Sequence, residues 1–308
     1  MRLLVTGAAG MLGQNLVEQL ASQRADVEVI PVTRDSVDLT DKAATRALFE
    51  RERPDAIIHA AAKVNGIAAK LAAPTDYLLD NLLIDSSVLS AAIDLRVPEL
   101  LYIGSAAVYP AAYERPFTEA DLLGGPLEDA NEGYALSKIA AIKTCEYATR
   151  QYGLAYKAAL PSNLYGVHDH FPLESAHLVA ATLVKVHQAK EAGSDEILVW
   201  GDGTARREFT FCGDLAEWIA GQIGSLELWP DRLNLGFGTD HAVRTFYEVA
   251  QDVVGYSGKL VFDTSKPSGV PQRLIDSSPA RALGWNPRTT IEEGMAATYA
   301  DFLATSAK

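Results

Sequence analysis

Tyr134 and Lys138 stand four residues apart in Tyr134-Ala-Leu-Ser-Lys138. On a helix that spacing puts both side chains on one face, one turn from each other. A phenol with a pKa near ~10 is a poor proton donor or acceptor at neutral pH, and a nearby ammonium stabilises its anion. Ser105 closes the apolar run 99–105. It therefore falls at the carboxyl end of a strand, where open α/β sheets bind ligands. Its hydroxyl can bond the same substrate oxygen that the phenol addresses. A tyrosine and lysine at this spacing recur by chance; a strand-end serine beside them makes a proton-transfer set.

The strand pattern Arg2–Thr6 leads into Gly7-Ala-Ala-Gly10-Met11-Leu12-Gly13 and then a helix-period segment. Glycine permits positive φ in a tight turn, and its missing Cβ lets backbone N–H groups approach a pyrophosphate. The helix N-terminus favours that negative charge. A strand before and a helix after are the context such a triplet needs to bind a dinucleotide. An oxidised nicotinamide ring would then join Lys138 in stabilising the Tyr134 phenolate. The second strand ends in Thr33-Arg34-Asp35. An arginine fork suits a ribose 2′-phosphate and a carboxylate suits the free 2′-hydroxyl. Arg34 comes first, so NADPH (NADP) is the expected cofactor, with NAD the alternative, and Asp38-Leu39 suit the adenine edge.

These groups need a sheet to hold them. Strand patterns at 2–6, 27–33, 55–61 and 99–105 alternate with helix patterns at 10–24, 41–52, 75–95 and 133–152. Thr40 and Asn131 are the expected N-caps of two of these helices, and Gly153 the stop of the last. Continuous apolar strands alternating with helices imply a parallel sheet covered on both faces, a Rossmann-type doubly wound α/β fold. Beyond residue 165 the rhythm changes. Helix patterns at 175–191, 214–223 and 290–304 are interspersed with short strands at 197–201, 233–238 and 260–263, and Pro267, Gly269 and Pro271 mark an irregular loop. The expected division is a dinucleotide-binding domain over 1–165, with a returning segment near 205–236. A smaller, partly interleaved α/β substrate lobe takes 166–308.

A chain of 308 residues, 48% hydrophobic, can bury a substantial core. Its formal charge of -13, from 27 Lys+Arg against 40 Asp+Glu, argues against a nucleic-acid or anionic-membrane surface. Local cations remain available for a phosphorylated ligand. Cys145 and Cys212 form no CxxC pair, which suggests neither a disulfide nor a metal site. There is no charged n-region before the first strand and no apolar run of ~18 residues. The expectation is a cytoplasmic protein without metal.

Gly7–Gly13, Ser105, Tyr134 and Lys138 together resemble the extended short-chain dehydrogenase/reductases that act on nucleotide sugars. Longer stretches narrow the resemblance: 59–69, 126–153, 163–171, 199–209 and 264–276 are similar to the GDP-L-fucose synthase family over nearly the whole chain. That family epimerises C3 and C5 of GDP-4-keto-6-deoxy-mannose and then reduces C4 with NADPH. The resemblance implies a GDP-linked 4-keto-6-deoxy sugar as substrate. It makes Ser105, Tyr134 and Lys138 the reduction site and His177 the acid of epimerisation. It implies cofactor contacts from Met11, Leu12, Ala60, Ala61, Ala62, Pro161, Asn163 and Leu164. Asn163 also falls in the substrate set with Lys185, Trp200, Arg207 and Arg273; the last four match the contacts to GDP, where cations suit a diphosphate and an indole a ribose or base. Family members often dimerise through helices like those near 82–95 and 134–152, so a homodimer is expected.

The family's pattern places a cysteine, the epimerisation base, at the position that is Ala107 here. A methyl group cannot take a proton from carbon, so C4 reduction without epimerisation is the leading expectation. A complete synthase in which another residue replaces the cysteine is the first alternative. A nucleotide-sugar 4-epimerase with bound NAD is the second. Ala106-Ala107 also lacks the Asp-Glu pair by which sugar 4,6-dehydratases eliminate water. The complete Ser–Tyr–Lys set argues against a non-catalytic dinucleotide sensor. Ala9 departs from bacterial relatives that carry an arginine to the cofactor phosphate there.

Overall fold

A computed structural model describes residues 1–265 and 270–306. Pro267 and Gly269 of the expected irregular loop lie outside the described residues. In the first half, strands β1 (Arg2–Thr6), β2 (Glu28–Val32), β3 (Ala56–His59), β4 (Glu99–Ile103) and β5 (Ala155–Pro161) alternate with helices α1 (Met11–Gln23), α2 (Lys42–Glu52), α3 (Ile67–Ala72), α4 (Pro74–Asp94) and α5 (Glu132–Tyr152). The second half runs β6 (Asn163–Tyr165), α6 (Leu178–Glu191), β7 (Glu196–Trp200), β8 (Arg206–Phe211), α7 (Cys212–Gln222) and β9 (Arg232–Leu235). It ends with β10 (Asp240–Ala242), α8 (Val243–Val254), β11 (Lys259–Asp263), β12 (Gln272–Arg273), α9 (Ser278–Ala282) and α10 (Ile291–Ser306).

Six strands form one parallel sheet in the order β2-β1-β3-β4-β5-β9. Because β2 and β3 lie on opposite sides of β1, the winding reverses there. Such a switch point opens a ligand crevice outside the carboxyl ends of β1 and β3. Register pairs Thr6 with His59, His59 with Tyr102 and Ile103 with Ala159, so the chain leaves these strands along one edge. Every residue of β3 and β4 is buried, as strands covered on both faces must be. On one face Phe49 of α2, Val88 of α4 and Ile142 of α5 pack with Leu4, Ile57 and Leu100. On the other, Leu16 and Leu20 of α1 and Leu215 and Ile219 of α7 pack with Leu3, Val5 and Ile58. Each such fully buried aliphatic side chain contributes roughly 1.5–3 kcal/mol relative to exposure.

A third core joins Val179 and Leu183 of α6, Val199 of β7, Phe209 of β8, Phe246 of α8 and Met295 of α10. Here β6, β10 and β12 pair with β8, and β11 with β7. Among the described residues no helix is long and apolar enough to cross a membrane.

Two expected caps differ. Asp41, not Thr40, caps α2, its Oδ1 accepting from the Ala43 and Ala44 amides at 2.8 and 3.0 Å. The Thr40 hydroxyl instead donates to Asp38. Asn131 holds the N-cap position of α5 without a side-chain cap bond, because its amide bonds Lys70 and Glu128. Gly153, at φ 70°, ends α5 as expected.

Candidate active site

Gly7 turns the chain out of β1 with φ 70°. A Cβ there would lie 2.7 Å from the Ala61 nitrogen, and one at Gly13 would lie 2.1 Å from the Gly7 carbonyl oxygen. The two glycines thus let the exits of β1 and β3 and the start of α1 close on one another, placing Ala60, Ala61 and Ala62 across the crevice from the loop. Gly10 is the N-cap of α1, with no side-chain cap. The first-turn amides around Met11 and Leu12 are therefore left for a ligand anion. Arg34 is exposed and, among the described residues, its side chain makes no hydrogen bond or ion pair. Its fork is available to a 2′-phosphate at the end of β2. Asp38 Oδ1 is engaged by the Thr40 amide and hydroxyl at 2.9 and 2.7 Å. The Leu39 side chain belongs to the core, so only its backbone could meet an adenine. Pro161, Asn163 and Leu164 carry the chain from β5 into β6 along the same edge. Asn163 is exposed, its amide donating to the Glu208 carbonyl at 3.1 Å.

Ser105 lies just past β4, where its Oγ accepts from the Ala107 amide at 3.1 Å and caps the single 3-10 turn Ala106–Val108. Tyr134 and Lys138 face it from α5, both buried. Lys138 Nζ donates to the Ile103 carbonyl at 2.9 Å, 4.6 Å from the Tyr102 ring centroid and 5.8 Å from that of Tyr134. Burial pushes the Tyr134 phenol well above its ordinary pKa; the Asp85 charge adds to this and a hydrogen bond with Ser105 opposes it. The expected lowering by Lys138 is outweighed, so Tyr134 is held as a protonated donor. Burial also lowers the pKa of Lys138, and Asp85 supports its charge. Beneath them the Tyr102 hydroxyl donates to Asp85 Oδ2 at 2.7 Å, and His59 Nε2 is 3.1 Å from Asp85 Oδ1. His59 Nδ1 bonds Thr6 Oγ1 at 2.7 Å, which also accepts from the Ala61 amide at 3.2 Å. Asp85 and His59 thus set buried polar groups between the lysine and the cofactor-side loop.

His177 is half-buried at the N-cap position of α6. Burial, then the charges of Lys70 and His170, bring its pKa down to about 4, so the imidazole is neutral at pH 7. Lys70 was not among the sequence candidates. Only 8% exposed, it puts Nζ 4.8 Å from the Tyr134 ring centroid and donates to Asn131 Oδ1 at 2.9 Å. Burial lowers its pKa to about 8, with Glu128 acting in the opposite direction. Asn131 in turn donates to Glu128 at 2.8 Å. Glu128 lies 3.5 Å from Arg273 Nη2.

The candidate substrate cations fall in two groups. Arg273 of β12 pairs in register with Arg207 of β8. Arg273 donates to the Ala106 and Tyr109 carbonyls at 3.0 and 3.4 Å, which places this pair beside the Ser105 turn. Lys185 sits two turns beyond His177 on α6, roughly 12 Å away. Its Nζ is 5.9 Å from the ring of Trp200, which is 55% exposed. Among the described residues no side-chain bond joins Lys185 or Trp200 directly to Tyr134.

A crevice at the switch point, an uncapped helix and a Ser–Tyr–Lys group define a dinucleotide-dependent oxidoreductase. The sequence profile of the NAD dependent epimerase/dehydratase family matches residues 3–228, and the chain belongs to that family. Within it the chain is 40% identical over 313 aligned residues to the GDP-L-fucose synthase of Escherichia coli K12, covering 98% of this chain and 96% of the relative. It is 38% identical to the GDP-L-colitose synthase of Yersinia pseudotuberculosis, covering 98% of each. Its fold is similar to that of a GDP-mannoheptose C4 reductase from Campylobacter jejuni with NADP bound, with a TM-score of 0.88, 28% identity and 98% of each chain covered.

Proposed function

We propose that this protein reduces the C4 carbonyl of a GDP-linked 4-keto-6-deoxy sugar with NADPH, in the cytoplasm and as a homodimer. The observation that carries the reading is Tyr134, a buried phenol kept protonated beside the Ser105 hydroxyl at the mouth of a dinucleotide crevice. NADPH, when bound, supplies hydride to C4. The first-turn amides of α1, Arg34, Ala60–Ala62 and Lys138 would hold it. Tyr134 gives its proton to the C4 oxygen, and Ser105 bonds the same oxygen and orients it. Lys138, pinned to the Ile103 carbonyl, provides the positive charge that favours the phenolate left behind. Arg207 and Arg273 suit the diphosphate, and Lys185 with Trp200 suits the nucleoside end. The relatives that act on GDP-sugars support this substrate class. Two buried free thiols, Cys145 and Cys212, fit a reducing compartment. Ala107 contributes no proton transfer of its own, so the reading is reduction at C4.

The test is to mix purified protein, GDP-4-keto-6-deoxy-mannose and NADPH, follow the absorbance of the reduced cofactor, and identify the product by NMR. Stoichiometric loss of NADPH with a new C4–H supports the reading. Turnover of a 4-hydroxy nucleotide sugar without net cofactor consumption would replace it with a 4-epimerase.

A further inference from the structure

We propose that Lys70 and His177 form a proton-transfer pair acting on the carbons next to the sugar's C4 carbonyl, supplying the chemistry that the Ala107 methyl group cannot. The inference rests on the pocket being one for a 4-keto sugar, as proposed above.

Lys70 is unusual for a structural lysine. It is nearly fully buried, and its hydrogen bond goes to the neutral amide of Asn131, not to a carboxylate. Glu128, the nearest acidic influence, is itself engaged by Asn131 and Arg273. A buried ammonium held by a single amide is poorly compensated for leaving water. Such groups cluster where their perturbed charge is used. Its position suits use, since Nζ lies over the Tyr134 ring at 4.8 Å from the centroid. That phenol addresses the C4 oxygen, and C3 and C5 are each one bond, about 1.5 Å, from C4. A group beside the phenol can therefore approach those carbons at the ~3–3.5 Å that a reacting contact requires.

His177 lies close enough to Lys70 for that charge to depress its pKa. Backbone joins the segments that carry them. The Gly66 amide donates to the Ser175 carbonyl at 2.9 Å. A Cβ on Gly66 would sit 2.7 Å from the Ala176 carbonyl oxygen, so only glycine admits this approach. The start of α3 and the residues leading into His177 are thus held together. A Cβ on Gly133 would meet the Pro74 carbonyl oxygen at 2.8 Å, which fixes the start of α5, and Tyr134 with it, against α4. Lys70, Tyr134 and His177 thus stand on segments held against one another.

Neutral imidazole at His177 takes a proton from C3 or C5. The C–H electron pair moves into the ring as an enolate, whose negative oxygen faces the Tyr134 hydroxyl. The Lys70 ammonium then returns a proton to carbon as the carbonyl re-forms. Removal on one face of the carbon and return on the other inverts it. Lys70 amine and His177 imidazolium exchange a proton through water to restore the starting state; no electrons are gained or lost.

The experiment incubates the full chain with GDP-4-keto-6-deoxy-mannose and NADP in D2O without NADPH, and reads deuterium at C3 and C5 by proton NMR. A parallel sample measures NADPH oxidation. The expected result is deuterium uptake in the absence of NADPH. Lys70→Met and His177→Asn each slow the uptake about 100-fold or more, with a smaller fall in NADPH oxidation. Lys70→Arg, which keeps the charge but releases its proton far less readily, also slows it at least about 10-fold. NADPH binding, read by its fluorescence, reports whether each variant is folded. NADPH oxidation by the unsubstituted protein with no deuterium in the product overturns the inference and leaves the reductase reading standing. Uptake at the original rate in either Lys70 variant overturns the role of Lys70. Absence of both uptake and oxidation removes the 4-keto-sugar reading and the inference with it.

Discussion

Tyr134 retains its proton because burial, not the lysine one turn away, dominates its environment. A residue of that kind is an acid waiting for an oxygen that develops negative charge. Tyr134→Phe is accordingly expected to lower NADPH oxidation by about 100-fold or more while NADPH still binds; fluorescence titration beside the absorbance assay separates the two. The proposed pair carries its own pH signature. His177 must be neutral, which holds above about 4, and Lys70 must be charged, which holds below about 8. Glu128 supports the charge of Lys70 and His170 opposes that of His177, while Tyr134 stays protonated throughout. Deuterium uptake should be flat from pH 5 to 7 and fall toward tenfold per unit above about 8; a rate still rising at pH 9 would contradict the assignment of Lys70 as the acid. Arg34 belongs to the same scale. Its fork, without a partner among the described residues, would make charge-assisted contacts to a 2′-phosphate worth about 1.5–3 kcal/mol, so Arg34→Ala should weaken NADPH about 10- to 100-fold and leave NADH nearly unaffected in the same titration.

Helices set these residues in place, and α4 does so from below. Asp85, buried on its inner face, accepts from Tyr102, contacts His59 and supports the charge of Lys138. Removing a buried counter-charge leaves the other charge uncompensated, at a cost of roughly 3–5 kcal/mol. Asp85→Ala should reduce the free energy of unfolding by that order in urea titration; a change below about 1 kcal/mol would show that Lys138 does not depend on it. The alternating strands and helices of the first half were legible because β1, β3 and β4 are apolar throughout and the helices between them have clear stops such as Gly153. The second half was less so. Helix α8 does repeat apolar residues at Val243, Phe246, Tyr247 and Ala250, a readable helical period. Strands β6, β10 and β12 are two or three residues long, too short for alternation to declare itself. The candidate serine, tyrosine and lysine were legible from type and spacing, and His177 only from the family resemblance. Lys70 was not, because it lies one residue past the 59–69 stretch and only the approach of α3 to Tyr134 gives it meaning. Asn131 and Thr40 show the same limit: each has the residue type of a cap, but tertiary partners claimed the side chain.

At the scale of the whole molecule, the packed helices α4 and α5 expose large apolar side chains that their own fold does not cover. Leu79 and Leu83 on α4 are 51% and 50% exposed, and Leu136 and Tyr147 on α5 are 42% and 48% exposed. Leu79 and Leu83 are four residues apart, and Leu136 and Tyr147 eleven, spacings that return to one side of a helix within about 40°. The inner sides of both helices carry Asp85, Tyr134 and Lys138, so this outer face is separate from the catalytic one. Exposed apolar patches on adjacent packed helices mark association surfaces, and a two-fold pairing of α4 and α5 would cover this one with a copy of itself. The charge of -13 on each chain opposes that pairing at low ionic strength and is screened over about 8 Å at 0.15 M salt. Light scattering at that salt should therefore give about twice the 33.1 kDa of one chain. Leu83→Asp combined with Tyr147→Asp, which puts like charges on the pairing face, should return the mass to that of one chain and lower the melting temperature by removing the stabilisation that association provides. A mass of one chain for the unsubstituted protein across the micromolar range would show that these two helices serve only to hold the site.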